Sequence, residues 1–288
     1  DLWWLKRVRA DKAWAVSKGT GVPVAVIDTG IDYTHPDLAA NLWTNPAESN
    51  GVAGVDDDGN GYIDDINGWD YYNGDNDPRD DHGHGTHVSG VIGAVADNGI
   101  GIAGVAPESK IIPIKVLNNQ GSGFITDVIS AIRYAANLGA RVINLSLGIL
   151  KKFLSKSLQS SFQSAVTYAK TKGAVVVAAA GNDNSRVENT YPAGLNNVIA
   201  VGAIQPVTDK RASFSNTGKS LDFVAPGVDI LSTVPVGNTY GGGSGTPDYR
   251  RLSGTSMSSP IVACVVALLR AKEPQLSFDQ ILARLRAT

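Results

Sequence analysis

Three short segments carry side chains that together can do acyl-transfer chemistry. They are Val26-Ile27-Asp28-Thr29-Gly30, His84-Gly85-Thr86-His87 and Gly254-Thr255-Ser256-Met257-Ser258-Ser259-Pro260. A serine hydroxyl at its free pKa is a poor nucleophile and needs a neighbouring base. A histidine can take its proton, and an aspartate can fix the histidine's tautomer and orientation. Asp28, Ser256 and a histidine of the second segment are the candidates for these roles. Each has glycine or other small residues beside it.

The histidine segment supports other readings too. Asp81-His82-Gly83-His84-Gly85-Thr86-His87 holds three of the chain's four histidines. On a helix running on through Val88–Ala96, His84 and His87 share a face at i, i+3. His82, His84 and His87 could then be zinc ligands, although no Cys or Glu accompanies them at usual zinc spacing. A plainer reading leaves His82 and His87 hydrogen-bonded to nearby backbone. Asp32 competes with Asp28 for the aspartate role, but it lies beyond Gly30, outside the buried Val-Ile run.

A second kind of chemistry is written in Asp56-Asp57-Asp58-Gly59-Asn60-Gly61-Tyr62-Ile63-Asp64-Asp65, with five carboxylates in ten residues. Like charges drawn into a compact loop repel unless a cation gathers them. Asp56, Asp58 and Asn60 alternate, Gly61 allows a sharp turn, and the Tyr62 carbonyl follows, as in the first half of an EF-hand loop. Asn67 stands at the twelfth position in place of Glu. Asp65 is the candidate for the missing carboxylate, with Asp64 the alternate. The rival reading is a solvated acidic loop. An all-oxygen shell favours Ca²⁺ over transition metals.

These groups need a rigid frame. Val22–Ile27, Ile111–Leu117, Arg141–Leu147, Ala174–Ala180 and Asn197–Ile204 are Val- and Ile-rich and lack polar alternation. That pattern predicts strands of a sheet covered on both faces. Helices are predicted over Thr126–Leu138, Leu158–Lys172 and Met257–Leu269, with Gly139 and Gly173 as stops. The alternation predicts a mainly parallel α/β sheet, whose sites lie at the carboxyl ends of strands. Asp28 stands at such an end. Ser256 opens a helix, where unpaired N–H groups and partial positive charge can meet a developing oxyanion. Asn45–Asp81 and the Gly-rich Pro235–Leu252 read as surface loops.

Taken together, the three motifs resemble the subtilisin-like serine proteases. Gly121-Ser122-Gly123, Asn144-Leu145-Ser146-Leu147-Gly148, Ala178-Ala179-Ala180-Gly181-Asn182 and Ala225-Pro226-Gly227 resemble further segments of that family, in family order from about residue 8 onward. The resemblance implies a three-layer α/β fold with helices on both faces, forming a single catalytic domain over residues 1–288. It implies an endopeptidase with an Asp28-His84-Ser256 triad and Asn182 as the second oxyanion donor; taken alone, Gly181-Asn182-Asp183-Asn184 is also turn chemistry. It implies that Gly121–Gly123 and Ser146–Gly148 sandwich an extended peptide, which joins as an added strand. Leu147 and Ala178–Gly181, hence Ala180 and Gly181, would wall the pocket before the scissile bond, with Thr190 at its base and Asp183 at its rim.

The resemblance also implies a second calcium site. Asp37, Asn98 and the carbonyls of Ala96, Ile100 and Ile102 would form it, with an unassigned N-terminal residue. It further implies secretion and a pro-segment that assists folding. The chain departs from the family at Ile261 and Cys264, where His and Gly are usual. Buried packing is the expectation for Cys264. The rival functions are a catalytically silent binding or scaffold relative, which the intact Asp28, His84, Asn182 and Ser256 oppose, and a metal-binding protein without peptidase activity.

Composition narrows the rest. The chain has 288 residues, 43% hydrophobic and 18% charged, with a net charge of −2. That is enough apolar residue for a sizeable core. No basic stripe suggests nucleic acid. Apolar runs are too short for a membrane span. The start at Asp1, with neither Met nor a signal peptide, predicts a processed product. Cys264 is the lone cysteine and leaves the compartment open.

Overall fold

The structure is a computed structural model that describes residues 2–237, 245–246 and 248–287. Much of the expected Gly-rich loop, together with Asp1, lies outside the described residues.

One parallel sheet of seven strands forms the centre of the molecule. Its strands are β1 (Pro23–Asp28), β2 (Trp69–Asp70), β3 (Lys110–Lys115), β4 (Val142–Leu145), β5 (Val175–Ala179), β6 (Val198–Ile204) and β7 (Phe223–Pro226). Their spatial order is β2-β3-β1-β4-β5-β6-β7. In register, Asp28 faces Lys115 of β3, and Val26 faces Asn144 of β4. The chain therefore reverses its direction of travel at β1, and a crevice opens beyond the carboxyl ends there.

Alternate residues of β1 serve opposite layers, as the period of two requires. Val24 and Val26 join one buried cluster, and Ala25 and Ile27 join the other. The first cluster packs against α1 (His84–Gly93), α4 (Thr255–Lys272) and α5 (Phe278–Arg286). The second packs against α2 (Ile125–Asn137) and α3 (Lys156–Thr171). The result is the expected three-layer α/β fold. Gly139 and Gly173 stop α2 and α3 at φ of +81° and +85°.

Helix α1 lies unusually close to its neighbours. A methyl group on Gly85 would meet the Gly30 carbonyl at 2.1 Å, and one on Gly90 would meet Thr233 Oγ1 at 2.2 Å. Small residues there are a packing requirement, despite their poor helix propensity.

Three expectations are corrected. Helix α1 ends at Gly93 rather than Ala96, because the chain turns at Ala94 and Val95 N–H donates to the Asp37 carbonyl. Asn45–Asp81 is more than a surface loop. It contributes β2 at the sheet edge and the short helix Pro46–Ser49, and it buries Asn45, Glu48, Asp65, Asp70 and Asp80. Within Pro235–Leu252, strand Tyr249–Leu252 pairs antiparallel with Ile230–Thr233. Among the described residues, no helix is long and apolar enough to cross a membrane.

Candidate active site

Strand β1 delivers Asp28, wholly buried, to the crevice, and α1 begins there with His84. His84 Nδ1 lies 2.7 Å from Asp28 Oδ1, which also accepts from Thr29 N–H at 2.7 Å. Against a carboxylate Nδ1 carries the proton, which leaves Nε2 as the acceptor. The His84 side chain remains 17% exposed, so reactants can reach it. Burial acts to lower its pKa, but attraction and hydrogen bonding by Asp28 outweigh that, and the pKa sits above the ordinary value. Only neutral His84 can act as a base. We expect kcat/KM to climb with pH through an apparent pKa above the free value of ~6.5. Asp28→Asn should move this limb to lower pH, along with a loss of rate. A limb centred at or below the free value would contradict the geometry.

A frame that the sequence reading missed holds this pair. Asp80 accepts from Thr29 Oγ1, from His82 and Gly83 N–H, and from Thr86 N–H and Oγ1. Burial pushes its pKa up, while these hydrogen bonds favour the ionised form and moderate the shift. A carboxylate at a helix start also suits the helix dipole. Lys115, 1% exposed, donates to Asp81, Thr29 O and Leu117 O. Nothing in the aspartate-rich stretch 75–81 singles out Asp80 by sequence.

The three histidines do not converge on one point. His87 is wholly buried, with Nε2 against the carbonyls of Ile230 at 3.0 Å and Arg250 at 3.1 Å. The His82 and His84 rings are 6.4 Å apart. Among the described residues the zinc reading finds no cluster. The Asp32 carboxylate accepts from Thr34 N–H and Oγ1 and from Val236 N–H, and no hydrogen bond joins it to His84 among the described residues. Cys264 is buried within α4, which pushes its thiol pKa up.

Ser256 sits in the first turn of α4. Pro260 has no N–H to give the Ser256 carbonyl four residues back. Ser146 Oγ donates to that carbonyl instead, at 2.8 Å, and Ser256 Oγ donates to the Ser146 carbonyl at 2.9 Å. No hydrogen bond joins Ser256 Oγ to His84 among the described residues. Asn182 Oδ1 accepts from Thr255 N–H and Oγ1, both at 2.9 Å, and its Nδ2 meets no acceptor among the described residues. A methyl on Gly254 would meet Asn182 Nδ2 at 3.5 Å and Ser256 N at 3.7 Å, so both donors border one small space.

Two cavities adjoin Ser256 and His84. One, of about 330 Å³, is lined by Leu147, Gly148, Gly181, Asp183, Thr190 and Ser256, among others. Ala180 is wholly buried behind this wall and does not line it. The other, of about 530 Å³, has an apolar floor of Leu117, Val128, Leu147 and Phe162, with Gly121–Gly123 and His82 at its edge. Sequence reading did not foresee this second cavity. The 118–123 turn is organised by Asn118, whose Oδ1 accepts from Gln120 and Ser122 N–H.

The sequence model of the subtilase family matches residues 19–288. The chain belongs to the subtilase family. It is 45% identical over 264 residues to a thermophilic serine proteinase of Bacillus sp. strain AK1, covering 91% of this chain and 55% of that protein. It is 40% identical over 267 residues to thermitase of Thermoactinomyces vulgaris, covering 93% and 81%. The crystal structure of a cold-adapted subtilisin-like serine proteinase superposes with a TM-score of 0.72 at 32% identity, covering 94% and 83%. This subtilase therefore carries a domain of the subtilisin-like serine endopeptidase type. It spans about half the length of the first of these relatives.

The acidic segment of this subtilase folds into a cluster. Oxygens of Glu48, Asp58 and Asp65 lie within 4.8 Å of one another. Asn45 and Asn60 bridge Asp58 and Asp65, and Tyr134 donates to Asp65. Burial, reinforced by the Asp58 charge, pushes the Asp65 pKa up against these hydrogen bonds. Asp56 turns instead to the Asn60 and Gly61 N–H groups, and Asp64 to Gly54 N–H. Glu48 was missed, although Asn45 followed by Pro46 is a helix-start signal that could have placed it. Three crowded carboxylates, two of them buried, suit a hard divalent cation.

The Asp37 site also fits a cation. Asp37 is wholly buried and meets only neutral donors among the described residues: Asn98 Nδ2, Ile102 N–H and Tyr249 OH. The carbonyls of Ala96, Ile100 and Ile102 accept no hydrogen bond among the described residues.

Proposed function

We propose that this subtilase is a calcium-stabilised serine endopeptidase with a single catalytic domain over residues 1–288. The observation that carries the reading is the 2.7 Å Asp28–His84 contact; His84 lines one cavity and Ser256 the other, and the two cavities share the wall Ser146–Ile149. Rotation about the Ser256 Cα–Cβ bond releases Oγ from the Ser146 carbonyl toward His84. His84 Nε2 takes the hydroxyl proton as Oγ attacks the scissile carbonyl carbon. Asp28 steadies the imidazolium that forms. The developing oxyanion draws on Ser256 N–H and Asn182 Nδ2. For such an amide donor a loss of ~3–4 kcal/mol is the reference figure, one measured on a subtilisin rather than obtained from this chain. Collapse expels the amine, which takes the proton from His84 and leaves an acyl group on Ser256. Water, deprotonated by His84, then releases the acid and restores the hydroxyl.

The substrate is an extended peptide whose backbone pairs with Gly121–Gly123 and Ser146–Gly148. Its residue before the scissile bond enters the cavity over Thr190, where a medium apolar side chain fits best. Asp183 at the exposed rim gives a basic residue only ~0–1 kcal/mol. Replacing Thr190 by glycine should shift a peptide-library cleavage profile toward large aromatic residues at that position. An unchanged profile would place Thr190 outside the pocket.

Glu48, Asp58 and Asp65 would hold calcium, with Asn60 beside them. A second ion is held by Asp37, Asn98 and the carbonyls of Ala96, Ile100 and Ile102. When bound, it supplies structural charge compensation and takes no part in hydrolysis. Family likeness alone supports secretion and maturation from a pro-segment. Labelling by a serine-directed fluorophosphonate tests the reading. A folded protein that neither labels nor cleaves peptides is a silent relative.

A further inference from the structure

Asn216 lies outside every motif that marks the reaction, yet it is wholly buried beneath the site. Its side chain uses its full hydrogen-bonding capacity. Oδ1 accepts from Asp183 N–H at 3.1 Å and Ser185 N–H at 2.8 Å. Nδ2 donates to the Ala180 carbonyl at 2.9 Å and to Thr190 Oγ1 at 3.2 Å. Its own N–H donates to the Gly181 carbonyl at 2.9 Å. Four of these bonds close on segment 180–185, which carries Asn182, and the fifth reaches Thr190. The segment is moulded around the amide: a Cβ on Gly181 would meet Asn216 Nδ2 at 2.4 Å.

The same bond decides what Thr190 shows to a substrate. Its hydroxyl turns to Asn216. Its methyl lies 3.1 Å from where a Gly148 Cβ would stand and 3.4 Å from a Gly181 Cβ. Both glycines line the cavity of about 330 Å³ beside Ser256. With the Thr190 hydroxyl engaged, its methyl is the part that faces the two glycines.

We propose that Asn216 is a positioning residue with two effects. It holds segment 180–185 so that the Asn182 amide meets the developing oxyanion. It also fixes Thr190 with its methyl toward the substrate side chain, which sets a preference for medium apolar residues. The proposal rests on the endopeptidase reading above. Loss of Asn216 removes an alignment that matters in the transition state more than in substrate binding.

Steady-state kinetics on peptide anilides with Ala, Leu or Phe before the scissile bond test this. Asn216→Ala should lower kcat roughly tenfold or more while KM moves less than about threefold. In an Asn182→Ala background the same change should cost less than about twofold, because the two residues act as one unit. The preference for Leu over Ala should weaken in Asn216→Ala. Thr190→Ser keeps the oxygen that meets Asn216 and deletes the methyl, so it should raise kcat/KM for Phe relative to Leu. That variant tests the rotamer assignment even if Asn216→Ala fails to fold. Equal kcat losses in both backgrounds overturn the proposal, as does a Thr190→Ser preference identical to wild type. A wild-type protein that neither cleaves nor labels at Ser256 counts against the endopeptidase reading instead.

Discussion

Ser256→Ala should abolish peptide hydrolysis and fluorophosphonate labelling while leaving the melting temperature almost unchanged. The lost oxygen is the sole proposed nucleophile. Removal of such a nucleophile lowers kcat by ~10⁶-fold, a reference value that was itself measured on a subtilisin. The structural cost is small. Ser256 is partly exposed, and among the described residues its Oγ makes one hydrogen bond, to the Ser146 carbonyl. A neutral hydrogen bond of that kind contributes ~0.5–1.5 kcal/mol. The reverse bond, from Ser146 Oγ to the Ser256 carbonyl, survives the substitution. Stopped-flow ester hydrolysis gives the sharpest measurement. An acylation burst persisting in Ser256→Ala would move the nucleophile elsewhere.

Chelation should have the second large effect. Asp58 and Asp65 crowd Glu48, and the Asp65 pKa is already raised. A divalent cation reverses that penalty in the folded state only. At a hundredfold excess over Kd it stabilises by ~2.7 kcal/mol. For a domain of this size that corresponds to roughly 5–10 °C in melting temperature. EDTA should lower the melting temperature by about that amount and hasten self-digestion. Asp58→Ala or Glu48→Gln should remove one bound calcium per chain, and Asp37→Ala another. If calorimetry finds no heat of calcium binding and EDTA leaves the melting temperature where it was, both sites are wrong.

The sheet was legible where the chain is buried on both faces. Pro23–Asp28 and Val198–Ile204 are continuous apolar runs, and the structure keeps them within a residue or so of the predicted bounds. The edge strands were not legible. Trp69–Asp70 is two residues inside a polar stretch, and Phe223–Pro226 leaves Val224 50% exposed. Neither carries a run long enough to show a period. The candidate site residues divide in the same way. Asp28, His84 and Ser256 stand in short motifs whose neighbours are small for a physical reason, seen at Gly85 against Gly30. Asp80, Lys115, Glu48 and Asn216 act through contacts between residues distant in sequence. Asn216 meets Ala180 from 36 positions away, and no local pattern announces such a pair.

Helix α1 carries two histidines whose protons pull the fold in opposite directions. Burial takes the His87 pKa down to about 3, while Asp28 holds His84 above its ordinary value. As pH falls from ~6.5 toward 3, an unfolded chain protonates His87 and the native one does not, so folding loses free energy. Native His84 binds its proton more tightly than the unfolded chain does. Its contribution is fully present below ~6.5 and fades as pH rises through the native pKa. The two effects oppose one another below neutrality. On the proposed mechanism catalysis feels only the second, because of these two histidines only His84 lines the cavity. Mild acid should therefore act as a reversible brake: turnover stops while the molecule stays folded, and neutralisation restores the rate.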